Sequence, residues 1–182
     1  YTGGKRSWRY LEAAPSDFRL VNGVPTVDST KAGYSGGTCY FIFGYYRETS
    51  GGSNVPLSTK TGIGEGYSNT EILVDKMKEA AYSSYSGTGT TSSYAARLCK
   101  ALVYEVDGEA VTGWFLPSKD ELNLMYSNLQ VQGLGSFANY DYYYWSSSEG
   151  NAYYAWLQDF RSGTQYNHIR DTESRVRPVR AF

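Results

Sequence analysis

Residues 155–161 read Ala-Trp-Leu-Gln-Asp-Phe-Arg, and they alternate between two kinds of side chain. Successive side chains of a β-strand point to opposite faces of the sheet. The alternation therefore predicts a strand with Trp156, Gln158 and Phe160 on one face and the intervening Leu, Asp and Arg on the other. We expect the first face to pack inward as a scaffold and the second to face solvent.

The same two kinds of residue are kept apart throughout residues 139–182. We call one kind the frame residues, which are Trp145, Ser146, Ser147, Ser148, Glu149, Trp156, Gln158, Phe160, Gly163, Gln165 and residues 175–182. The other kind fills the insert positions, which are 139–143, 150–154, 157, 159, 161, 162, 164 and 166–169. Large amphipathic residues dominate the insert positions, as they do in antibody paratopes, whereas structural loops favour small turn formers. The insert positions therefore predict a contact surface.

Strand geometry brings the insert positions together. Ser162-Gly163 predicts a turn, after which residues 164–169 return as a second strand or an open loop. If the frame residues pack inward, three separate segments of insert residues can converge on one outer surface. Tyrosine suits such a surface because it offers a large contact area and a hydroxyl that can bond to a partner. The alternative is a Tyr-rich sheet face whose aromatic rings merely pair across strands.

Helical periodicity and capping signals predict helices upstream of this tail. One covers residues 70–82, where apolar residues recur on one face. A second follows Ser93, and a third begins at Ser118, because Ser118 and Glu121 stand at the spacing of a capping box. The cap and the helix dipole also explain the neighbouring acids Asp120 and Glu121 without a catalytic role.

Two strands and a hairpin complete the upstream part. Aromatic and β-branched residues predict strands at residues 8–14 and 39–46. Asp107-Gly108 predicts a two-residue turn between the strands of residues 102–106 and 109–111. Helices and short strands together indicate an α+β domain.

Composition limits the classes of function. The chain has 182 residues, of which 19% are charged, and a formal net charge of -1. This balance gives no basic field that would attract nucleic acid, so we expect no nucleic-acid partner. No apolar run reaches the ~18 residues that a membrane span needs. The chain begins at Tyr1 without Met, so we expect a mature or trimmed form whose leader carried the targeting information.

Two cysteines leave the redox state open. A domain of this length buries about two thirds of its unfolded surface, so its stability requires no disulfide framework. Cys39 and Cys99 match no metal-ligand spacing. They are predicted either as two buried thiols that act as small hydrophobes or as one disulfide.

Longer motifs resemble a known family. Residues 113–123 read Gly-Trp-Phe-Leu-Pro-Ser-Lys-Asp-Glu-Leu-Asn, residues 144–149 read Tyr-Trp-Ser-Ser-Ser-Glu, and residues 175–182 read Arg-Val-Arg-Pro-Val-Arg-Ala-Phe. With residues 8–15, they resemble the C-type-lectin-fold variable proteins diversified by retroelements, and most closely the treponemal ones. The resemblance covers nearly the whole chain. It implies one α+β domain over residues 1–182, of the C-type lectin fold in its formylglycine-generating-enzyme-like subtype, with two or three helices, short antiparallel strands and much irregular loop.

The resemblance also implies how the insert positions vary. In that family an error-prone reverse transcriptase rewrites adenines at the 3′ end of the gene, so that Asn codons change while frame codons stay fixed. Codons randomised at their first two positions and ending in a pyrimidine cannot encode Lys, Met, Trp, Gln or Glu. The insert positions contain none of these residue types. Glu173 does not fit this pattern, so we place the diversified ligand-binding region at residues 139–170.

The resemblance implies a ligand-binding protein rather than an enzyme, displayed at the bacterial surface as a lipoprotein with its lipid anchor on the missing leader. The ligand is expected to be a protein or another cell-surface molecule. No cofactor or metal is expected, because the calcium-binding triplets of sugar-binding lectins are absent, although an oxygen-rich calcium site of another kind stays open. The predicted contact residues are Tyr140, Asp141, Tyr142, Tyr143, Asn151, Tyr153, Tyr154, Leu157, Asp159, Arg161, Thr164, Tyr166, Asn167, His168 and Ile169.

Two other classes of protein stay open as alternatives. One is an enzyme of the formylglycine-generating type, which would need a reactive thiol, although Cys39 and Cys99 lie in segments unlike that family's cysteine pair. The other is a structural or adhesive surface domain whose tyrosines bind nothing selectively. The binding hypothesis requires the predicted contact residues to be exposed and contiguous.

Overall fold

The computed structural model of the chain describes residues 2–3, 6–7, 9–27, 39–47, 52–82, 89–138 and 140–182. Trp8, predicted in a strand, and the insert position Asn139 lie outside the described residues. Within them the protein is a mixed α and β protein with short antiparallel strand pairs, as the sequence predicts. The described helices are α1 (Gly66–Met77), α2 (Ala95–Ala101) and α3 (Lys119–Met125), and a π-helical segment (Tyr126–Gln130) continues α3.

Helix α1 begins four residues earlier and ends five residues earlier than the predicted range of 70–82, and Ala81–Tyr82 form a strand instead. Asn69 and Thr70 lie inside the helix. The Asn69 side chain accepts from Lys60 N at 2.8 Å and donates to Lys60 O at 2.6 Å. The Thr70 hydroxyl donates to Gly66 O and accepts from Leu116 N at 3.0 Å. These polar side chains therefore tie the buried side of α1 to neighbouring segments.

The predicted capping box at α3 is confirmed, and it also joins two helices. Ser118 Oγ accepts from Glu121 N at 3.3 Å, and Glu121 Oε2 accepts from Ser118 N at 2.7 Å. The second carboxylate oxygen accepts from Gly64 N at 2.7 Å, in the loop before α1. A Cβ at Gly66 would overlap this carboxylate, so only glycine lets α1 start so close to the cap.

Glu121 should make stability depend on pH in a defined direction. Burial raises the pKa of the Glu121 carboxyl, although the N–H groups of Ser118, Gly64 and Gly66 oppose the rise. Because the pKa of Glu121 is higher in the folded state than in the unfolded state, the carboxyl group stabilises the fold fully below the unfolded pKa, about 4.3. This stabilisation is lost as the pH rises through the folded-state pKa. We therefore expect Glu121→Gln to cost more unfolding free energy at about pH 4 than at about pH 7. Urea denaturation of both proteins measures this; a cost that grows with pH would contradict it.

The strands are short and pair antiparallel. They are β1 (Thr2–Gly3), β2 (Arg6–Ser7), β3 (Leu11–Ala13), β4 (Arg19–Val21), β5 (Val24–Thr26), β6 (Phe41–Ile42), β7 (Ala81–Tyr82), β8 (Thr90–Thr91), β9 (Tyr104–Val106), β10 (Glu109–Val111), β11 (Tyr143–Glu149), β12 (Tyr154–Asp159), β13 (Gln165–Ile169), β14 (Glu173–Ser174) and β15 (Val179–Ala181). The largest described sheet has the order β11-β12-β13. Strand β3 pairs with β15 and strand β6 with β14, which joins the amino-terminal half to the carboxyl end.

Both turns predicted from local sequence, at Asp107-Gly108 and at Ser162-Gly163, are confirmed. Asp107 and Gly108 have φ values of 52° and 82° between β9 and β10, the geometry of the predicted hairpin turn. Gly163, at φ 78°, turns the chain from β12 into β13, so residues 165–169 form a strand. The strand predicted at residues 39–46 is confined to β6. Beyond it Gly44 has φ 145°, which leaves strand geometry and brings the backbone against the Met77 side chain.

Apolar clusters cover the large sheet on both sides. Trp145, Ala155 and Leu157 belong to the main cluster with Phe41 and Phe43. On the opposite side Tyr144 and Phe160 pack with Leu122 and Met125 of α3. Gln158 and Gln165 also reach α3, where they contact Asn123 Oδ1 at 2.8 Å and Lys119 O at 2.9 Å. The central strand β12 is therefore buried on both faces through most of its length.

Candidate functional site

Most predicted contact residues are exposed, whereas the frame residues beside them are buried or partly buried. Twelve of the fifteen are exposed and Tyr142 is partly buried. The aromatic ring of Trp145 and that of Phe160 are fully buried, and Trp156 is partly buried beneath Lys119 Nζ, 3.7 Å from its ring. The exposed tyrosines each show 41–44% of their surface; they are Tyr140, Tyr143, Tyr153, Tyr154 and Tyr166.

The prediction that Leu157 and Asp159 face solvent is wrong. Leu157 is 3% exposed and Asp159 2%. Alternation correctly places them on the face opposite Gln158, but the main apolar cluster packs against that face, so it does not meet solvent. Leu157 and Asp159 are therefore parts of the scaffold, and we remove them from the contact surface.

Asp159 stabilises the turn that follows β12. Its Oδ1 accepts from Arg161 N at 2.8 Å, and its Oδ2 accepts from Ser162 Oγ at 3.0 Å. Its own N–H donates to Thr164 O at 2.9 Å across the turn. Arg161 beyond it is exposed, and its guanidinium lies 5.3 Å from the centre of the Tyr142 ring.

The exposed contact residues form a band along one edge of the sheet. Among the described strands β13 pairs with β12 alone, so residues 166–169 are all exposed, on alternating faces. Tyr166 lies opposite Leu157, and its ring is 6.4 Å from that of Tyr143. Ile169 lies opposite Tyr154, whose ring is 6.4 Å from that of Tyr153. The surface is therefore contiguous, but it wraps around an edge and does not lie on one face. We call these exposed residues the edge surface: Tyr140, Asp141, Tyr143, Asn151, Tyr153, Tyr154, Arg161, Thr164, Tyr166, Asn167, His168 and Ile169.

One end of the edge surface is held by Arg175. Its Nε donates to Asp141 O at 2.9 Å, and its guanidinium lies 4.9 Å from the ring centre of Tyr40 and 5.1 Å from that of Tyr140. The Tyr40 hydroxyl accepts from Arg175 at 3.0 Å and donates to Asp141 Oδ2 at 2.8 Å. Burial and then the bond to Asp141 raise the pKa of Tyr40 to about 12, so it stays a neutral donor.

A buried carboxylate anchors this arginine in turn. Asp17 is 4% exposed, and it accepts from Arg175 at 3.3 Å, from Arg177 Nε at 2.9 Å and from the Tyr144 hydroxyl at 2.9 Å. Arg177 also donates to Ala14 O at 3.0 Å and to Gly135 O at 2.7 Å. Asp17 therefore joins the amino-terminal segment, the sheet and the carboxyl end beneath the edge surface.

A second buried ion pair holds the other end. Arg170 is fully buried and pairs with Glu149, whose carboxylate also accepts from Leu57 N and from Ser58 N at 2.7 Å. The Arg170 guanidinium donates to Asn151 O at 2.5 Å, in the loop that carries Tyr153 and Tyr154. Burial lowers the pKa of Arg170, and the Glu149 charge opposes this change. The exposed loop is thus fixed to the core.

Sequence reasoning missed most of these supporting residues. The sequence predicts Tyr40 only as part of a strand and assigns no functional role to Asp17 or Arg170. Among these supporting residues, the sequence placed Glu149, Arg175 and Arg177 in the frame. Each partner lies far along the chain, 158 residues away for Arg175 and Asp17, so no local pattern could reveal the pairing.

The two cysteines lie within the described residues. Cys39 and Cys99 are buried free thiols, and burial raises the pKa of Cys99 well above its ordinary value. A buried thiol that keeps its proton is a weak nucleophile. Across residues 2–3, 6–7, 9–27, 39–47, 52–82, 89–138 and 140–182, no three His, Cys, Asp or Glu side chains form a group that could hold a metal ion.

Comparisons with known proteins add no family. Within the part of the chain that the structure describes, no helix has the length and apolar character of a membrane span. The chain matches no family model, and no curated protein is significantly similar to it.

Proposed function

We propose that this chain is a ligand-binding protein whose edge surface is diversified by retroelement-directed mutagenesis on a C-type lectin fold. The observation that carries the proposal is the split in exposure: twelve predicted contact residues face solvent while the frame residues between them are buried or half-buried. Exposed aromatic clusters on a rigid support favour binding, because little conformational entropy is lost when a partner docks. The resemblance supplies the mechanism of diversification and a bacterial-surface location with a lipid anchor.

Rigid support is what lets such a surface change without loss of the fold. The Asp17 and Glu149 networks lie beneath the edge surface, and their side chains are frame residues or other residues outside the insert positions. Substitution of an exposed side chain usually alters stability by no more than about 0.5 kcal/mol. Mutations that change the exposed contact residues should therefore cost little folding stability. The ligand of the present surface is proposed to be a protein or another cell-surface molecule.

A displayed library tests the binding function. We expect a library that randomises the edge surface to stay folded and, when selected with biotinylated lysozyme, to yield specific binders. A matched library that randomises twelve buried residues among residues 139–182 should lose folded display, because core substitutions commonly cost about 2–5 kcal/mol each. Equal folded fractions in the two libraries would contradict the division between frame and surface. A folded surface library without any binder would contradict the binding function.

Genomic sequencing tests the mechanism of diversification separately. Sibling cells should differ at adenine-containing codons of the edge surface and agree at the codons for Trp145, Gln158 and Phe160. The Leu157 and Asp159 codons should vary little among functional copies, because both side chains are buried. Substitutions spread evenly over frame and surface codons would refute the mechanism.

A further inference from the structure

A small cavity opens beside the Tyr140 end of the edge surface. It has a volume of about 220 Å³ and is lined by Tyr40, Asp141, Tyr143, Glu173 and Ser174. Pockets for drug-sized ligands usually measure about 300–1,000 Å³, so this one fits the head of a single side chain. It combines two edge-surface residues, Asp141 and Tyr143, with three residues outside the diversified region.

The lining of the cavity is aromatic and negatively charged. Glu173 is exposed, and its carboxylate has no hydrogen-bond or ion-pair partner among the described residues. The Asp141 carboxylate accepts one bond, from Tyr40, and keeps further lone pairs for a ligand. The rings of Tyr40 and Tyr143 supply π faces or edges close to these two charges. Among the residues that the structure describes, no lysine, arginine or histidine lines the cavity.

Arg175 offsets this charge only in part. Its guanidinium packs against the Tyr40 ring, 4.9 Å from the centre, and forms an ion pair with Asp17 at 3.3 Å. It is 2% exposed and is not part of the lining. Asp17 also pairs with Arg177, so it balances the Arg175 charge only in part. Among the described residues, the charged groups that line the cavity itself are both carboxylates.

We propose that this cavity binds an arginine side chain of a protein ligand. A guanidinium is planar and carries N–H groups that match carboxylates, and it stacks on aromatic rings. The two carboxylates and the two aromatic rings of the cavity therefore both favour a guanidinium group. The inference rests on the proposed ligand-binding function and narrows it, because Tyr40, Glu173 and Ser174 would supply a constant contact next to a surface that varies.

A titration with a small probe tests the proposal without knowledge of the natural ligand. We expect N-acetyl-arginine amide to shift the NMR resonances of Tyr40, Tyr143 and Glu173 with an affinity that is roughly millimolar, since a single side chain provides few contacts. N-acetyl-citrulline amide has nearly the same shape but no charge and should not shift them. Equal binding of the two probes, or no shift with the arginine probe, would overturn the proposal.

Charge-neutralising variants locate the binding. Glu173→Gln and Asp141→Asn should each weaken the arginine probe by about fivefold, the scale of a partly exposed charge contact. Asn suits position 141, where φ is 48°, and its side-chain oxygen can still accept from Tyr40. Asp75→Asn, at an exposed acid of α1, is the control and should leave the affinity unchanged. Circular dichroism checks that each variant is folded. Unchanged affinity in both cavity variants would overturn the assignment.

The two proposals can fail separately. If the surface library yields binders while the arginine probe does not bind, the protein binds ligands without this arginine contact. If the probe binds while the library yields nothing, the cavity exists but the edge surface is not a general binding surface.

Discussion

Asp17→Asn should lower the free energy of unfolding by about 3–5 kcal/mol, because it removes the shared counter-ion of two buried guanidinium groups. Asp17 accepts from Arg175, Arg177 and Tyr144, and the two arginines are 2% and 1% exposed. Asn keeps the shape and one acceptor oxygen but loses the charge. A typical domain has a total stability of about 5–15 kcal/mol, so a loss of this size is large. Urea denaturation measures it from the transition midpoint and slope.

An exposed ion pair of the same chain provides the control for this measurement. Glu12 pairs with Arg180 through side chains that are 43% and 30% exposed, and it also links the amino-terminal segment to the carboxyl end. Solvent screens such a pair, so Glu12→Gln should cost less than about 1 kcal/mol. Similar losses in the two variants would show that the buried network does not set the stability.

Leu157→Ala should cost about 2–5 kcal/mol, because it removes buried methyl groups and leaves a cavity. Leu157 is 3% exposed and packs in the main apolar cluster with Trp145 and Ala155. The same experiment separates the two interpretations of this strand. If alternation alone set the surface, Leu157 would be a contact residue and its truncation would hardly affect folding.

Ile169→Ala is the matched control for Leu157. It removes an aliphatic side chain of equal size from the neighbouring strand, but Ile169 is 38% exposed. We expect a loss of no more than about 1 kcal/mol, since much of the side chain already meets water. Urea denaturation of both variants under the same conditions gives the comparison, and equal losses would contradict the assignment of Leu157 to the scaffold.

The sequence correctly predicted that most of the proposed contact positions are exposed, but it misjudged how they are arranged. Twelve exposed residues lie at predicted contact positions, because large amphipathic side chains interleaved with fixed residues marked the surface without any knowledge of the fold. The two errors, Leu157 and Asp159, share one cause. Alternation identifies the two faces of a strand, but only the packing of other elements against the sheet decides whether a face meets solvent.

The residues beneath the surface show the same limit. Arg170 ends the diversified region and appeared to have no role, yet it joins Glu149 to the loop of Asn151. Glu173 was set apart only because its residue type did not fit the mutational pattern. In the structure it lines the cavity next to Asp141. Neither function is visible without the packing of segments that are distant in the chain.

The sequence by itself determined the capping box of Ser118 and Glu121, the Asp107-Gly108 hairpin and the turn at Gly163. Each depends on dihedral preferences and hydrogen bonds within a few residues, which local sequence specifies. The tertiary structure alone decided that Leu157 is buried, that Asp17 serves two arginines and that Tyr40 and Glu173 share a cavity. Asp17 and Arg177 are 160 residues apart, so their pairing depends on how the whole chain packs and not on any local preference.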